Sequence, residues 1–388
     1  MRHWHLATIA FLQSHGKINP FQLTIQNGCC FRTRHSGTIH QTFVAMTQKL
    51  EASHPISFST HHIFIQVPEN ENESIMAMAK NISKEYALPI LKLGDEETDE
   101  FTHCLSIASH QLGTTSLSTY AIGIQTLNSI HKDKKIKQRR QIKRIPSQKP
   151  VYIDFLPSTM SNLGKRLNKQ SNGEMLLKAA GIHKLKDAII FDLTAGFAQD
   201  SMIFASSENV KEVHMVERDP IVGFLLSDAM RRLELISMLD ETQCSDIDME
   251  LLYRAKILKR KLKLHKMDGK DIGSKLVFSE DSKINIQRPN VCYLDPMFPP
   301  RQKSAAVKKN MQILHGLLQS NNVEDDNFRL AEEVHLLDTA LALTKSRVVV
   351  KRPINAPPLG TLAGVKSDVR LPSYDLKGTI NRFDVYIL

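Results

Sequence analysis

The chain has 388 residues, of which 41% are hydrophobic and 24% charged, so it can bury a large core and we expect more than one structural unit. The net charge of +10 suits a polyanionic partner such as RNA, although charge bears on association and not on fold. The five cysteines show no CxxC spacing and no matching histidine pairs, which argues against a disulfide framework and a zinc site. No run approaches the length of a membrane-spanning helix, so no membrane span is expected.

The first 50 residues form a compositionally distinct segment. They contain no Asp or Glu, five Lys/Arg and eight Ser/Thr. This basic, hydroxyl-rich and acid-poor composition is typical of an organellar transit peptide, and mitochondrial and plastid signals share it. The alternative is a disordered extension with no targeting function. We therefore assign residues 1–58 to a transit peptide or disordered extension, and we expect an organellar location.

A small α/β unit is predicted over residues 59–130. Strand-like residues at 62–67 precede a helical stretch at 73–86. A second strand is expected at 88–93, and strand character returns around 120–124. The residues between these last two strands are polar and poorly patterned.

A basic segment follows at 131–150 and is assigned as a linker. Residues 131–144 hold eight Lys/Arg and one acid. Such a run binds phosphates well and without specificity, and a solvated linker is the equally weighted alternative.

The remainder, residues 151–388, is predicted to form one α/β domain. A strand at 151–155 and a helix at 173–180 come first, and Gly181 is a plausible helix stop. From Lys186 strands and helices alternate, which is the signature of a doubly wound parallel sheet. The predicted strands are 188–192, 213–217, 262–265, 291–294, 346–351 and 382–387, with a further one near 368–370. The predicted helices are 200–207, 219–236, 303–319 and 328–344, and residues 237–256 read as a partly acidic insertion.

One stretch, residues 291–300, carries a chemical signal. Four strand residues run into Asp295 and then into proline, so Asp295 is expected at the carboxyl end of a buried strand, where open α/β sheets bind ligands. The loop Asp295–Phe298 is close to the Asp/Asn-Pro-Pro-Tyr/Phe loop of amino-methyltransferases. A carboxylate at Asp295 and the carbonyl of Pro296 could each accept one N–H of a nucleobase amine, with Phe298 stacked on the base. A β-turn with a solvent-facing Asp is the alternative.

The turn after the first predicted strand of this domain suits a cofactor. Residues 191–200 contain only Gly196 where nicotinamide enzymes have GxGxxG, which weakens a dinucleotide or phosphate assignment. S-adenosylmethionine (SAM) has no phosphate and needs polar partners for its amino acid end. Gln199 and Asp200 are placed for that, although Asp200 could instead be a helix cap.

Two further strand ends carry polar residues. Glu217, 25 residues after Asp192, could accept from both hydroxyls of a ribose, with Arg218 beside the adenosine. Asp268 and Gly269 follow the third strand, where a polar residue would meet the adenine amino group. The alternatives are a surface ion pair for Glu217 and Arg218 and a simple turn for Asp268 and Gly269. However, polar residues recur at successive strand ends, which favours one shared site.

These motifs together resemble a known family. Residues from about 151 to 388 resemble the bacterial RsmJ-type small-subunit ribosomal RNA guanine-N2 methyltransferases, and residues 60–130 resemble that family's N-terminal part more weakly. The stretches that carry the resemblance are 192–200, 293–299, 302–309, 347–353, 356–359 and 382–386.

The resemblance implies a class I, Rossmann-like methyltransferase fold that uses SAM and methylates a guanosine N2 amine. The cofactor residues that it implies by position are Gln199, Asp200, Glu217, Arg218, Asp268, Gly269 and Asp295. There are two departures: the family's Gly-Leu-Gly-Arg-Asp is Gly-Phe-Ala-Gln-Asp at 196–200, and the family's serine pair is replaced at 268–269.

The leading hypothesis is a SAM-dependent enzyme that acts on small-subunit ribosomal RNA, free or in the assembled subunit, as a monomer. Asp295 and Pro296 would orient the amine, and Phe298 would stack on the base. The cations expected on the RNA backbone are Lys303, Lys308, Lys309, Lys351 and Arg352. Methylation of another amine, such as adenine N6 or a protein glutamine, and a catalytically inactive RNA-binding or ribosome-assembly protein are the alternatives.

Overall fold

A computed structural model gives the fold. It describes residues 25–26, 29–30, 63–66, 73–92, 101–111, 118–131, 142–146, 148–168, 173–239, 241, 246–278, 286–296, 313, 317, 326–359, 361 and 370–388. The strands are β1 (Ile25–Gln26), β2 (Cys29–Cys30), β3 (Ile63–Gln66), β4 (Ile90–Leu91), β5 (His103–Gln111), β6 (Ser118–His131), β7 (Ile142–Pro146), β8 (Ala188–Asp192), β9 (Val210–Glu217), β10 (Leu262–Lys266), β11 (Val291–Leu294), β12 (Arg347–Pro353), β13 (Tyr374–Lys377) and β14 (Asn381–Ile387). The helices are α1 (Glu73–Tyr86), α2 (Asn162–Leu167), α3 (Met175–Ala179), α4 (Gln199–Ser206), α5 (Pro220–Ser237), α6 (Asp246–Lys261) and α7 (Asp326–Leu343).

Seven strands form the large sheet, in the order β10-β9-β8-β11-β12-β14-β13. The pairs from β10 to β12 are parallel, whereas β14 runs antiparallel to both of its neighbours. The chain moves outward from β8 in one direction and resumes on its other side at β11, so the switch point lies between β8 and β11. In such sheets ligands bind beyond the carboxyl ends of the strands at this point.

The central strands are buried on both faces, as their apolar sequences require. Every residue of β8 and β11 is buried. One face packs against α4 and α5 and the other against α7, and each face has its own hydrophobic cluster. A fully buried large apolar side chain contributes about 1.5–3 kcal/mol, so these short strands fix the position of whatever follows them.

A mixed five-stranded sheet precedes this domain, in the order β4-β3-β5-β6-β7. Its strands β3, β4 and β5 are parallel to one another, and β6 is antiparallel to both β5 and β7. Helix α1 covers it with the apolar face formed by Ile75, Met78, Ala79 and Ile82. Tyr86 at the end of α1 contacts Phe224 of α5 with ring centroids 4.8 Å apart, so the two sheets share one hydrophobic core.

The junction between the two sheets also contains a buried charge cluster on α5, which we call the junction cluster: Asp228, Arg231 and Arg232. Asp228 accepts from both arginines, at 2.7 and 2.9 Å. It also accepts the Ile122 main-chain N–H at 3.1 Å, and Arg231 donates to the Thr119 hydroxyl at 2.9 Å, both on β6. These contacts fix the small sheet to the helix that follows β9.

Most predicted elements of the large domain are confirmed within a few residues. The strands at 188–192 and 291–294 and the helix at 73–86 match the structure at both ends. Gly181 does end a helix: its φ is 63°, and a Cβ there would lie 2.6 Å from the Arg347 guanidinium.

Other predictions need correction. The unpatterned stretch 94–115 contains β5, in which small and polar residues alternate with Leu105 and Ile107 and residues 103–107 are all buried. The predicted linker is strand at β7, which pairs with β6, and the predicted insertion contains most of α6. At 151–155 only Val151 forms a bridge, to Ile124.

Some expectations fall mainly outside the described residues. These are the greater part of the helix at 303–319 and of the strand near 368–370, and almost all of the extension at 1–58, where the structure describes only the pairing of β1 with β2. The unit boundaries therefore stay predictions. Cys292 is fully buried in β11. Among the described residues, no helix combines the length and apolar composition needed to cross a membrane.

Candidate active site

Acidic residues gather at one edge of the large sheet, where four neighbouring strands end. Glu217 closes β9, Asp192 closes β8, Asp268 follows β10 and Asp295 follows β11. Lys351 lies near the carboxyl end of the next strand, β12. The sequence-based expectation that these strand ends meet at one edge is confirmed by the parallel order β10-β9-β8-β11-β12.

The loop between β8 and α4 bends sharply into this edge. Gly196 has φ 51° and Ala198 has φ 55°, so two of its residues adopt the left-handed conformation. The Ala195 N–H donates to the Val216 carbonyl at 3.0 Å, and the Gly196 N–H donates to Glu217 Oε2 at 2.8 Å. The turn therefore ties the end of β8 to the end of β9. A left-handed alanine costs about 1–2 kcal/mol, because its Cβ crowds the following carbonyl.

This turn places Asp200 in the first turn of α4, where the helix dipole favours an anion. Its carboxylate accepts three side-chain hydrogen bonds: Arg166 Nη1 at 3.3 Å, Tyr293 Oη at 2.7 Å and Lys351 Nζ at 2.8 Å. Asp200 is thus no mere helix cap. It joins α2, β11 and β12 at the site.

Asp295 lies beside it. The Asp295 N–H donates to Thr194 Oγ1 at 2.7 Å, which fixes the start of the loop after β11 against the loop after β8. Lys351 Nζ lies 2.7 Å from Asp295 Oδ2, whereas Oδ1 has no hydrogen-bond partner among the described residues. The Asp295 side chain is 34% exposed, so one carboxylate oxygen remains available to a ligand.

The electrostatics of this pair of acids are set by burial and by Lys351. Burial favours the neutral form of Asp200, but Lys351 and Arg166 outweigh it and lower the pKa of Asp200 below its ordinary value. Burial raises the pKa of Asp295; Lys351 opposes this rise and Asp200 adds to it. The two acids in turn raise the pKa of Lys351 above its ordinary range, so its ammonium stays charged.

Glu217 occupies the position predicted for a ribose-binding acid. Its Oε1 accepts from the Asp219 N–H at 2.7 Å, and its Oε2 accepts from Gly196. Burial raises the pKa of Glu217 to about 7. Each oxygen keeps a second lone pair, so a diol can still donate to it, and such hydrogen bonds would favour the ionised carboxylate.

The charged residues near the end of β10 form longer and more exposed ion pairs. Asp268 Oδ1 accepts from the Lys270 N–H at 2.9 Å, and Arg218 Nη1 lies 4.0 Å from Asp268 Oδ2 and 3.9 Å from Glu332 Oε2 on α7. Arg218 is 62% exposed, so these ion pairs contribute little to stability and leave the side chain able to turn toward a ligand. Gly269 is buried, and a Cβ there would lie 2.8 Å from the Leu193 carbonyl, so close packing requires this glycine.

The structure places two of the cations that were predicted to contact the RNA backbone elsewhere. Arg352 is buried, donates to the Pro357 carbonyl at 3.0 Å and lies 3.9 Å from Glu333, so its predicted contact with an RNA backbone is wrong. Lys351 lies inside the site. Phe298, Lys303, Lys308 and Lys309 lie outside the described residues, and their roles stay predictions.

Sequence reasoning missed three side chains that support the site: Arg166, Thr194 and Tyr293. Tyr293 belongs to the stretch 293–299 that carries the family resemblance, which gives it no role of its own. Its place in an apolar strand, two residues before Asp295, indicates a buried hydroxyl that needs a partner. Arg166 carries no such signal, because 34 residues separate it from Asp200.

The residues at this edge fit SAM. That cofactor carries an ammonium, a sulfonium and a ribose diol, all of which seek acceptors or negative charge. Asp200, Glu217 and Asp268 offer carboxylates at or shortly after the ends of three neighbouring strands, and Gly196 leaves one position of the loop after β8 without a Cβ. Gln199 is exposed at the start of α4 and completes the predicted set.

Comparison with known proteins agrees with this arrangement. Residues 125–388 match the family model described as "Putative SAM-dependent methyltransferase". The ribosomal RNA small subunit methyltransferase J of Pseudoalteromonas atlantica is 32% identical over 243 residues, which cover 63% of this chain and 79% of that protein. The protein of the same name from Colwellia psychrerythraea is 34% identical over 245 residues, covering 62% and 72%.

Among solved structures, a SAM-dependent methyltransferase from Neisseria gonorrhoeae is 23% identical, with a TM-score of 0.47 and coverage of 83% of this chain and 95% of that one. The family match and the two relatives show that the cofactor is S-adenosylmethionine, and together with the strand order they confirm the predicted class I, Rossmann-like fold. The chain belongs to the SAM-dependent methyltransferase family of the ribosomal RNA small subunit methyltransferases J.

Proposed function

We propose that this enzyme methylates the exocyclic N2 amine of a guanosine in small-subunit ribosomal RNA. The observation that carries the proposal is Asp295, which lies at the carboxyl end of β11 with its side chain 34% exposed and Oδ2 held by Lys351. Relatives that are 32% and 34% identical to this chain over the aligned residues carry the name of a small-subunit ribosomal RNA methyltransferase.

The amine needs activation that Asp295 and Pro296 can supply. The nitrogen lone pair of a nucleobase NH2 is delocalised into the ring, so the amine is a weak nucleophile. Asp295 Oδ1 and the main-chain carbonyl of Pro296 each offer an acceptor for one N–H, which turns the lone pair toward the methyl donor. Positioning and electrostatics therefore supply the catalysis, and no strong base is required.

The site's charges suit this role. SAM, when bound, supplies an electrophilic methyl group on sulfur, and the sulfur keeps the bonding electron pair as the methyl passes to nitrogen. The amine then loses one proton, and the ionised Asp295 is the acceptor closest to it. Asp200 keeps its negative charge because Lys351 and Arg166 donate to it, so the edge can balance the positive charge of the cofactor.

An RNA partner is consistent with the net charge of +10. The predicted backbone contacts of Lys303, Lys308 and Lys309 and the stacking of Phe298 belong to this proposal. The monomeric state is a further prediction, which light scattering of the purified protein would check. We also propose that residues 1–58 direct the protein to an organelle. Their composition supports this, and imaging of this segment fused to a fluorescent protein would locate the organelle.

The test is methyl transfer from SAM with a labelled methyl group. Free small-subunit RNA and assembled small subunits, both from cells that lack this protein, are offered separately. Nuclease digestion and mass spectrometry should find N2-methylguanosine at one position in one of the two substrates. Label in N6-methyladenosine or in protein glutamine would replace the guanosine assignment. SAM binding without label, or no SAM binding by the folded protein, would favour the non-catalytic, RNA-binding alternative.

A further inference from the structure

Lys351 joins the two acids on which the proposed chemistry depends. Its Nζ lies 2.8 Å from Asp200 Oδ2 and 2.7 Å from Asp295 Oδ2. Leu294 of β11 is in register with Val350 of β12, so Asp295 and Lys351 emerge side by side from adjacent parallel strands. The ammonium is thus placed by the two central strands and not by a flexible loop.

The next residue shows how specific this placement is. Arg352 is also a cation on β12, but strand alternation directs it toward Glu333 of α7 and the Pro357 carbonyl. It stabilises the fold away from the acids. Of two consecutive cations, only Lys351 reaches the edge.

Without Lys351, the two carboxylates would face each other with little compensation. Asp200 would keep Arg166 and the Tyr293 hydroxyl, whereas Asp295 would keep no cation in direct contact among the described residues. The other titratable and charged groups that act on this pair are Asp192, whose pKa burial raises to about 7 and which adds negative charge once it ionises, and Arg352. Two carboxylates that both contact one ammonium lie close to each other, and without the ammonium such proximity favours protonation of one of them. A protonated Asp295 would donate a hydrogen bond where the amine needs an acceptor.

We infer that Lys351 is a positioning residue for methyl transfer: it keeps Asp295 ionised, holds Oδ2, and leaves Oδ1 directed at the amine. The inference rests on the proposed function. It also links the two halves of the site, because the same ammonium contacts Asp200 on the cofactor side. Binding of SAM near Asp200 and orientation of the amine at Asp295 are thereby coupled through one side chain.

The first test compares Lys351→Met, which keeps the length of the stem and removes the charge, with Lys351→Arg. Lys351→Met should lower kcat about 100-fold, as expected when a reacting group loses its orientation, and leave the KM for RNA within about threefold. The acid limb of its kcat–pH profile should move to higher pH, so that raising the pH recovers part of the rate. Lys351→Arg should recover most of the activity.

Lys259→Met is the matched control. Lys259 pairs with Glu234 at 2.6 Å on the surface of α6, and its loss should leave both kcat and the pH profile unchanged. Equal melting temperatures for the three variants would exclude misfolding. A fall in kcat of the same size at every pH, without recovery in Lys351→Arg, would mean that Lys351 only supports the structure and would overturn the inference.

A second test does not need the RNA substrate. SAM carries a net positive charge, and calorimetric titration in two buffers of different ionisation enthalpy counts the protons released when it binds. At pH 7 Lys351→Met should release more protons than the wild type, because its acids hold an extra proton that the cofactor displaces. Glu217 titrates in the same range in both proteins and cancels in the difference. Burial also raises the pKa of Asp192 to about 7, and Asp192 interacts with both acids, so the comparison is made with Asp192→Asn in both proteins.

Equal proton counts would overturn the inference even if the enzyme is active on RNA. A wild type that binds SAM but methylates neither form of the small-subunit RNA would overturn the proposed function alone, and the difference in proton count would still decide the role of Lys351.

Discussion

Two carboxylate–cation clusters in this protein use the same chemistry for different ends. In the junction cluster, Asp228 accepts from Arg231 and Arg232, and all three side chains are at most 5% exposed. At the sheet edge, Asp200 and Asp295 share Lys351, but Asp295 is 34% exposed and retains an oxygen without a partner among the described residues. A fully buried and satisfied cluster fixes two elements to each other, whereas a partly exposed one leaves atoms for a ligand. Exposure and spare acceptors, more than charge, separate the functional cluster from the structural one.

The largest expected effect is on catalysis, and it tests the cluster at the sheet edge. Asp295→Ala should lower methyl transfer at least about 1000-fold, since it removes both an acceptor and a charge at the reacting amine. Asp295→Asn keeps one acceptor oxygen and should retain more of the activity. Melting temperatures of both variants should stay near that of the wild type. Turnover by Asp295→Ala close to the wild-type value would remove Asp295 from the mechanism.

Substitution in the junction cluster should lower the stability of the fold. Asp228→Ala leaves Arg231 and Arg232 buried without their carboxylate, so the free energy of unfolding should fall by about 3–5 kcal/mol. Urea denaturation followed by circular dichroism measures this. Glu234→Ala, on the same helix but in a partly exposed pair with Lys259, should change it by less than about 0.5 kcal/mol. Similar losses in both variants would contradict the distinction between the clusters.

A buried acid that contacts no cation among the described residues extends the comparison. Asp192 is 1% exposed and accepts from the Ser201 hydroxyl and the Thr194 N–H, and burial raises its pKa to about 7. A raised pKa means that the folded state holds the proton more tightly, so this group contributes stability at low pH that is lost as the pH rises from about 4 to about 7.

In Asp192→Asn that loss should disappear, because an amide can accept from Thr194 and donate to the Ser201 hydroxyl at every pH. The variant should gain on the wild type between pH 5 and pH 8, by an amount on the order of 3 kcal/mol. Urea denaturation at several pH values checks this, with the exposed Asp271→Asn as control. A pH-independent difference between Asp192→Asn and the wild type would show that the carboxyl does not titrate in this range.

A smaller effect is expected from one hydroxyl. Tyr293→Phe removes a hydrogen bond to Asp200, and the resulting cost of about 0.5–1.5 kcal/mol should weaken SAM binding about 2- to 12-fold in calorimetry. Tyr386→Phe is the matched control: this tyrosine is equally buried on β14, and its hydroxyl has no partner among the described residues. Equal affinities for SAM in the two variants would place the Tyr293 hydroxyl outside the cofactor site.

The smallest expected effect concerns the turn that presents Asp200. Ala198→Gly restores the glycine found in the family's motif at a position with φ 55°, and should raise the free energy of unfolding by at most about 1 kcal/mol. The relief of strain is partly offset by the greater freedom of glycine in the unfolded chain. Thermal unfolding would detect the change, and a lower melting temperature would mean that the alanine methyl packs favourably in its buried position.

The strands of the large domain could be predicted because their signal is local. A fully buried parallel strand is a short apolar run, and residues 188–192 and 291–294 are such runs bounded by turn residues. Strand β5 escaped prediction because it alternates small and polar residues with apolar ones in a sheet that only tertiary contacts bury. Helix α6 was not predicted for a similar reason: its charged residues suggested an insertion, and its apolar residues are buried only by tertiary contacts.

For the site, sequence alone determined the acids at successive strand ends, since parallel strands bring their carboxyl ends to one edge whatever the details of packing. Only the tertiary structure decided what those acids touch. Arg166 reaches Asp200 from a helix 34 residues away, and Lys351 turns to the acids while Arg352 turns to α7. The physical reason is that a strand end follows from the place where a local apolar run meets turn residues, whereas a side chain's partner depends on distances between elements that sequence spacing does not encode.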